Sequence, residues 1–179
     1  MAELRRKHLL HGMSRRVGAH LELDQHSDGS ARLRAANPDG RLEAAHWETF
    51  REAVAYALAK KTDPTYKAVA AERHTSPFRV ATADFLHVPE IDEIDVRDYH
   101  GHAGDEIRVR AHDDVKVTEV GIIVLDEENR PIEIGQAVDM GPQWVYKARR
   151  QATSDHVRII VDAADIPGNL SEARVEKTL

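Results

Sequence analysis

The stretch VRIIVDAADIPGN near the end of the chain runs from an alternating apolar pattern directly into residues with oxygen-bearing side chains. Together with two aspartates from another predicted loop, these side chains could give oxygen ligands to calcium: they are Asp113, Asp114, Asp162, Asp165 and Asn169. The ligand spacing of an EF-hand is absent. The Pro-Gly pair is a strong turn signal, and asparagine tolerates the left-handed conformation. We therefore interpret the stretch as a structural turn that closes a sheet, and we predict no metal ligands in it.

Histidines offer a second kind of chemistry, since the chain has 11 of them. His100 and His102 lie two residues apart in YHGHAG, and His112 precedes a pair of aspartates. On a strand, a His-x-His pair would present both imidazoles on one face, which suits zinc. The neighbouring glycines favour a loop instead, and no third ligand is fixed by spacing. The alternative is a set of exposed histidines that add positive charge on acidification. We predict neither a metal nor a cofactor.

Catalytic motifs are absent from the sequence. It contains no G-x-S-x-G elbow, no G-x-x-x-x-G-K-[ST] phosphate loop, no G-x-G-x-x-G after a strand and no H-E-x-x-H pattern. The acidic clusters at 92–95 and 126–128 fall in predicted strand edges and turns, where solvated carboxylates are a simpler explanation than acid–base catalysis. We predict no catalytic residue and a protein that is not an enzyme. An enzyme with a histidine-based metal site is kept as a third alternative.

The composition restricts the class of protein. The chain has 179 residues, 41% of them hydrophobic, and a formal net charge of -6. An acidic chain argues against a general nucleic-acid binder, which needs a basic surface. Because the chain has no cysteine, it has neither a disulfide framework nor a thiolate metal site.

The beginning of the sequence bears on localisation. The segment MAELRRKHLLHGMSRRVGAHL is basic and lacks the apolar run of a signal peptide. No stretch approaches the roughly 20 apolar residues of a membrane span. We expect a cytoplasmic protein without a membrane span, with export by a route that leaves the N-terminus intact as the alternative.

Residues 1–40 are predicted to form an N-terminal arm and a β-hairpin. Apolar residues alternate with polar ones on both sides of an Asp-Gly turn, at Val17, Ala19, Leu21, Leu23, Ala31, Leu33 and Ala35. A second turn, NPDG, follows. A two-stranded hairpin is marginal alone in water, so it must pack on its own chain or on a neighbour. The basic cluster before it suits an acidic face of a neighbouring subunit better than nucleic acid or phosphate.

Residues 41–89 are predicted to form three helices, the first long and the next two short. The first has one apolar face at helical spacing, made of Trp47, Phe50, Val54, Ala57 and Leu58. Asp63 and Ser76 are good N-caps, and each precedes a proline at a position that a helix tolerates. Pro89 ends the last helix.

Residues 90–179 are predicted to be all β. About seven short runs at 10-to-15-residue spacing favour a β-sandwich. KVTEVGIIVLD is apolar enough for a central strand, and SEARVEKTL can form a last edge strand. Trp144 alternates in phase with Tyr146, so we predict that Trp144 lies in the core.

The stretch from Gly104 to Asn169 resembles the immunoglobulin-like sandwich modules of bacterial surface and structural proteins. The matching pieces are GDEIRVRAHDDVKVTEVGIIVLDEENRPIE, the Trp144 strand, and a late strand that ends in an Ala-x-Asp-x-x-Gly-Asn turn. The Cys–Trp–Cys core of antibody-type domains is absent. The resemblance implies a sandwich fold over about half of the chain.

The whole order also resembles a family of small bacterial proteins of uncharacterised activity. The matching motifs are GMSRRVG in the N-terminal hairpin, FREAVAYA in the helical middle and ADFLHVPEI at the entry to the sandwich. This resemblance implies an architecture and no activity.

These observations predict an α+β chain in which an N-terminal β-hairpin and a helical segment precede an immunoglobulin-like antiparallel β-sandwich. We predict a non-enzymatic structural protein that associates with itself into a homo-oligomer or filament, since an arm that adds to a neighbour's sheet edge generates rings or open filaments. The residues expected to mediate this contact are Arg5, Arg6, Arg15, Arg16, Val17, Leu21, Leu23 and Leu33. The alternative is a module that binds carbohydrate or calcium through loops at one end of the sandwich.

Overall fold

The computed structural model describes residues 21–25, 31–35 and 43–179, with side chains from Trp47 onward. The turns predicted at 26–30 and 37–40 lie outside the described residues. The chain divides into two compact units, Met1–Phe50 and Arg51–Leu179.

The first unit contains a pair of antiparallel strands, β1 (Leu21–Gln25) and β2 (Ala31–Ala35). Their register places Leu23 opposite Leu33 and Glu22 opposite Arg34. Pairing apolar residues with apolar ones, and opposite charges with each other, stabilises an antiparallel pair. Among the described strands, β1 and β2 pair only with each other.

Three helices follow, as the sequence predicts: α1 (Glu43–Lys60), α2 (Pro64–Glu72) and α3 (Pro77–Leu86). The Asp63 carboxylate accepts a hydrogen bond of 2.9 Å from the Thr65 amide at the start of α2. The Ser76 hydroxyl accepts one of 3.3 Å from the Arg79 amide at the start of α3. Both caps occupy amides that have no partner within the helix, so both predicted helix starts are confirmed.

A small apolar cluster holds the helices together. Its buried members are Ala57, Tyr66, Ala70, Val80 and Ala81. The buried stripe of α1 differs from the predicted one, because Ala53 is buried beside Ala57 whereas Leu58 is exposed. Alanines four residues apart lie on the same face of a helix and leave room for a close neighbour, which moves the larger side chains to the flanks.

Residues 90–179 form eight strands, one more than the approximate seven that the sequence predicts. They are β3 (Glu90–Asp95), β4 (Glu106–His112), β5 (Val117–Leu125), β6 (Pro131–Gln136), β7 (Val138–Asp139), β8 (Trp144–Lys147), β9 (His156–Asp165) and β10 (Leu170–Thr178). They make two antiparallel sheets, ordered β10-β9-β5-β6 and β3-β4-β8-β7. The two sheets share one apolar core, so the region is a β-sandwich.

The core follows the alternating pattern of the central strands. Every second residue of β9 is buried, as its alternating apolar pattern predicts. The buried residues are Val157, Ile159, Val161 and Ala163. In β5, Val120, Ile122 and Val124 are buried in the same way. Because alternate residues of a strand face opposite sides, this pattern puts one face of the sheet inside and leaves the other for solvent.

The prediction for Trp144 is wrong, and β6 departs from the alternating burial pattern. Trp144 is only half-buried and packs against the rim of the core, whereas Tyr146 is buried. In β6, Glu133 is buried and Ile134 is exposed. The pairing of β5 with β6 shifts between Val124 and Leu125, and such an irregularity interrupts the alternation of the strand.

Replacing Ile122 with alanine should lower the free energy of unfolding by about 2–5 kcal/mol, because truncating a fully buried side chain leaves a cavity. Ile134→Ala is the matched control: Ile122 is 0% exposed and Ile134 is 62% exposed. The control should change the free energy of unfolding by less than about 0.5 kcal/mol. Urea unfolding of both variants measures the difference, and equal losses would contradict these burial assignments.

Candidate functional site

The predicted turn after β9 is held together by Asp165. One oxygen of its carboxylate, Oδ1, accepts hydrogen bonds from the backbone amides of Gly168 at 2.8 Å and Asn169 at 2.7 Å. The other, Oδ2, accepts from the Asn169 side-chain amide at 2.7 Å. Gly168 has φ 95°, a left-handed value that glycine adopts without strain. Both carboxylate oxygens therefore serve the turn itself.

Asn169 connects this turn to the end of α3. Its side-chain Nδ2 lies 3.1 Å from the carbonyl oxygen of Asp84, 3.3 Å from that of Phe85 and 2.8 Å from that of His87. The last carbonyls of a helix have no partner within the helix. An amide NH₂ has two hydrogens, so these contacts are shared among several acceptors. The turn thus clamps the C-terminus of α3 to the sandwich.

The other aspartates of the candidate calcium set do not join this turn in one cluster. Asp162 lies on β9 with its carboxylate over Gly121 of β5, where an added Cβ would come within 2.6 Å of both carboxylate oxygens. Asp113 Oδ2 accepts from the amides of Val115 at 3.0 Å and Lys116 at 3.2 Å. Across 47–179, whose side chains are described, no group of three or more histidine or acidic side chains could hold a metal ion.

Asp114 faces the helices instead. Its Oδ2 lies 2.5 Å from His87 Nδ1, and its backbone carbonyl accepts a hydrogen bond of 2.5 Å from Arg73 Nη2. These contacts reach the end of α2 and the residue after α3. The loop between β4 and β5 is therefore a second polar attachment of the helices to the sandwich.

The predicted histidine pair lies in the bend between β3 and β4 and not on a strand. His100 and His102 are exposed, and their backbone amides donate to Asp105 Oδ2 at 2.7 and 2.8 Å. Burial alone would raise the pKa of Asp105, but these two amide hydrogen bonds lower it. The carboxylate therefore organises the loop, and it also lies 3.8 Å from Nδ1 of the exposed His102 ring.

His112, at the end of β4, has its own carboxylate partner. Its Nδ1 lies 3.0 Å from Asp92 Oδ2 on the neighbouring strand β3. This hydrogen bond raises the pKa of His112. The three histidines considered as zinc ligands are thus distributed over separate contacts.

A buried chain of polar groups that the sequence reading missed connects the three helices. Asp84 on α3 is 0% exposed, and its Oδ2 accepts a hydrogen bond from the hydroxyl of Tyr66 on α2. The Tyr66 hydroxyl also lies 2.7 Å from that of Tyr56 on α1. Asp113, in the loop between β4 and β5, also acts on the Asp84 carboxyl group. The sequence contained a signal for this buried aspartate, because Asp84 lies four residues after Val80 and therefore on the same apolar face of α3.

Burial raises the pKa values of the hydrogen-bonded groups Asp84 and Tyr66. It raises the pKa of Asp84 to about 7, an effect that the Tyr66 hydrogen bond reduces and that Asp113 reinforces. Burial and the hydrogen bond to Asp84 raise the pKa of Tyr66 far above its usual range. A carboxyl group with such a pKa could exchange protons near neutral pH. Asp84 itself has no exposed surface in this structure.

A second buried carboxylate lies on β6. Glu133 is 6% exposed, and its Oε2 accepts from the Tyr146 hydroxyl at 2.8 Å and the Arg149 amide at 3.0 Å. Arg149 Nη2 donates to the Ile134 carbonyl at 2.8 Å, and its guanidinium lies 5.9 Å from the centre of the Tyr146 ring. A Cβ at Gly135 would come within 2.5 Å of Arg149 Nη2, so glycine leaves space for the guanidinium.

A cavity of about 450 Å³ opens beside this carboxylate. It is lined by Pro131, Ile132, Glu133, Ile134, Arg149 and Arg150. Arg150 Nη1 lies 3.5 Å from the Ile132 carbonyl. Two guanidinium groups at one cavity make it a candidate site for an anionic ligand. The sequence reading did not single out these residues, because the two arginines follow a strand whose neighbour cannot be read from spacing.

Of the residues predicted to mediate self-association, the structure describes the backbone of three. Leu21 and Leu23 lie on β1, and Leu33 lies on β2 opposite Leu23. The other five lie outside the described residues, and they are Arg5, Arg6, Arg15, Arg16 and Val17.

Comparisons with known proteins find no match among family models and none among curated proteins. Among solved structures, the chain is similar to CopC from Methylosinus trichosporium OB3b, with 15% identity and a TM-score of 0.39, over 51% of this chain and 92% of that one. A conjugative transposon lipoprotein from Bacteroides eggerthii has 13% identity and a TM-score of 0.26, over 49% of this chain and 92% of that one.

An engineered protein has 18% identity and a TM-score of 0.39, over 50% of this chain. The chain spans only 20% of that protein's length. At these TM-scores the similarities establish neither a shared activity nor a shared ligand.

A membrane-crossing helix is not found among the described residues, where no helix combines the necessary length with the necessary apolar character.

Replacing Asn169 with alanine should lower the free energy of unfolding by about 1–3 kcal/mol, because it leaves carbonyls at the end of α3 without a donor. Ser171→Ala is the control, since the buried Ser171 hydroxyl has no hydrogen-bond partner. Its loss should be neutral within about 0.5 kcal/mol. Chemical denaturation of the two variants measures this difference. An unchanged free energy of unfolding in Asn169→Ala would contradict the interpretation of Asn169 as a clamp.

Proposed function

We propose that this chain is a non-enzymatic structural protein that associates with itself into a homo-oligomer or filament through its N-terminal arm and hairpin, residues 1–40. The observation that carries the proposal is the pairing of β1 and β2, which among the described strands pair only with each other. A two-stranded hairpin is marginally stable alone in water. A sheet edge of a second copy would supply the missing strand partner.

The distribution of charge supports a contact between copies. Residues 1–40 contain seven basic and five acidic residues, a formal charge of +2. Residues 41–179 contain 18 basic and 26 acidic residues, a formal charge of -8. A basic arm is therefore attracted to the acidic remainder of another copy, and salt weakens such an attraction between exposed charges.

Of the edge strands β3 and β6, β3 is the better receiving edge for this arm. It is an edge strand of its sheet, and four of its six residues are acidic: Glu90, Asp92, Glu93 and Asp95. The edge strand β6 of the other sheet fits less well, because Arg149 and Arg150 lie against the carbonyls of Ile134 and Ile132. A strand can be added only where the edge has free backbone groups.

We also infer that the sandwich is immunoglobulin-like. The order β3-β4-β8-β7 corresponds to strands A-B-E-D of that fold, and β10-β9-β5-β6 corresponds to G-F-C-C′. This correspondence supports the resemblance noted in the sequence. Modules of this kind are used in bacterial surface and structural proteins, which agrees with a structural role.

The alternative function is ligand binding, and the cavity beside β6 favours it. Arg149 and Arg150 line the cavity and suit a carboxylate, so an acidic carbohydrate fits this site better than calcium does. Titration with uronic-acid oligosaccharides tests the idea. Arg149→Ala should abolish binding, whereas Arg174→Ala, at an exposed position of β10, should leave it unchanged.

Self-association predicts that the full chain is larger than a monomer by light scattering at tens of micromolar in low salt. Changing Arg5, Arg6, Arg15 and Arg16 to glutamate should shift it to a monomer, because the arm then repels the acidic remainder. The matched control makes the same change of charge at exposed positions 61, 67, 79 and 174, which are Lys61, Lys67, Arg79 and Arg174. The control should still associate.

A truncated chain beginning at Arg41 separates association from folding. It should retain its circular dichroism and sediment as a monomer. If the full chain is itself monomeric in low salt, the assembly proposal fails and the ligand-binding alternative takes its place.

A further inference from the structure

The contact between the helices and the sandwich within Arg51–Leu179 combines a small apolar patch with several polar attachments. Val115 and Ile166, from the two loops at one end of the sandwich, pack against the helical cluster. Beside them, Asn169 reaches the end of α3, and Asp114 contacts Arg73 and His87. With so little apolar surface, the polar groups at this interface have a large influence on whether it stays closed.

Two carboxylates from opposite sides meet inside this interface. Asp84 Oδ2 is occupied by the Tyr66 hydroxyl, and Asp113 Oδ2 by the amides of Val115 and Lys116. The remaining oxygens, Asp84 Oδ1 and Asp113 Oδ1, are both buried without a hydrogen-bond partner. A side-chain hydrogen bond with Asp113 and the charge of Asp113 are both among the causes that raise the pKa of Asp84, so the two groups act on each other. Two such carboxylates, if both ionised, would repel, whereas one proton between them satisfies both free oxygens.

We propose that a single proton shared between Asp84 and Asp113 latches α2 and α3 onto the sandwich, and that release of this proton above neutral pH loosens the interface. The latch goes beyond self-association and does not depend on it. The proton forms a hydrogen bond from Asp84 Oδ1 to Asp113 Oδ1. On deprotonation it passes to water, and two negative charges are left facing each other.

Asp84 is the member that carries the proton. It is 0% exposed and accepts one hydrogen bond, from a hydroxyl. Asp113 is partly exposed, and its Oδ2 accepts two backbone hydrogen bonds. Burial is the largest cause that raises the pKa of Asp84 to about 7, and the charge of Asp113 raises it further.

The other ionisable groups around the pair do not neutralise it. Asp165 adds a further negative charge, and its oxygens serve its own turn. Tyr66 and Tyr56 stay neutral, since burial raises the pKa of each. Asp63 is among the charges that raise the pKa of Tyr56. The basic side chains at this interface, Arg73 and His87, both contact Asp114.

The direction of the pH effect follows from linkage. The pKa of Asp84 rises from 3.8 to about 7 on folding, so the folded protein binds the extra proton between these values. The stabilisation is complete below pH 4, declines as pH rises towards 7 and is lost above it. Acidification therefore strengthens this interface, opposite to the usual effect of acid on paired carboxylates.

The latch is tested with the full chain and three single variants. Asp84→Asn and Asp113→Asn each remove the carboxylate pair, and Asp114→Asn is the matched control because Asp114 binds His87. Carboxyl ¹³C NMR of the unmodified chain should show one aspartate that titrates near pH 7, absent in Asp84→Asn. The melting temperature should fall between pH 5 and pH 8 by several degrees more in the unmodified chain and in Asp114→Asn than in the other two variants.

Amide hydrogen exchange measures the loosening of the interface between the helices and the sandwich. After correction for the intrinsic rate, amides of α2 and α3 should exchange about tenfold faster at pH 8.5 than at pH 6 in the unmodified chain, and not in Asp84→Asn.

Three results would overturn the proposal. One is an Asp84 carboxyl that titrates at its ordinary value. Another is a pH dependence that disappears in Asp114→Asn and persists in Asp84→Asn, which would assign it to His87. The third is a melting temperature at pH 8 that rises with added calcium and falls with a chelator, which would place a cation and not a proton between the two carboxylates.

Discussion

The pairing of β5 with β9 is the interaction on which the rest of the sandwich depends. These two strands lie at the centre of one sheet, and their buried residues form much of the core. Each contributes side chains at alternating positions, so one face of the sheet is apolar throughout. Burying that face is favourable by roughly 25 cal/mol per Å². The remaining strands, including the short β7, are added to a framework that these two strands define.

The same pairing positions the polar groups at the end of the sandwich. Its register places Val117, the first residue of β5, opposite Asp165, the last residue of β9. The loop that precedes β5 and the turn that follows β9 therefore lie side by side. Asp113 and Asn169 reach the helices from these two segments. The position of a polar interface is thus a consequence of how two apolar strands align.

The parts of the fold that depend on local patterns could be predicted from sequence. The caps at Asp63 and Ser76 bind amides two and three residues further along the chain. The alternation of apolar residues in β9 can be recognised without knowing which strands pair with it. The burial of Glu133 in place of Ile134 was not predictable, because it depends on a shift in pairing with β5. The meeting of Asp84 with Asp113 was not predictable either, since it joins a helix to a distant loop. Trp144 and Tyr146 lie on the same face of β8, yet only Tyr146 is buried. The alternation of a strand therefore predicts which face a side chain lies on, but not how deeply it is buried.

The clamp at Asn169 also has a consequence for synthesis of the chain. Its contacts with the carbonyls of Asp84, Phe85 and His87 span 85, 84 and 82 residues. At about 5–20 residues per second, a ribosome needs roughly 4–17 s to add the 85 residues between Asp84 and Asn169. During that interval the helices are already made but lack the surface that holds them. The apolar cluster around Tyr66 and Val80 then lacks Ile166, which packs against it in the complete fold, and the helices complete their docking only when the last two strands emerge.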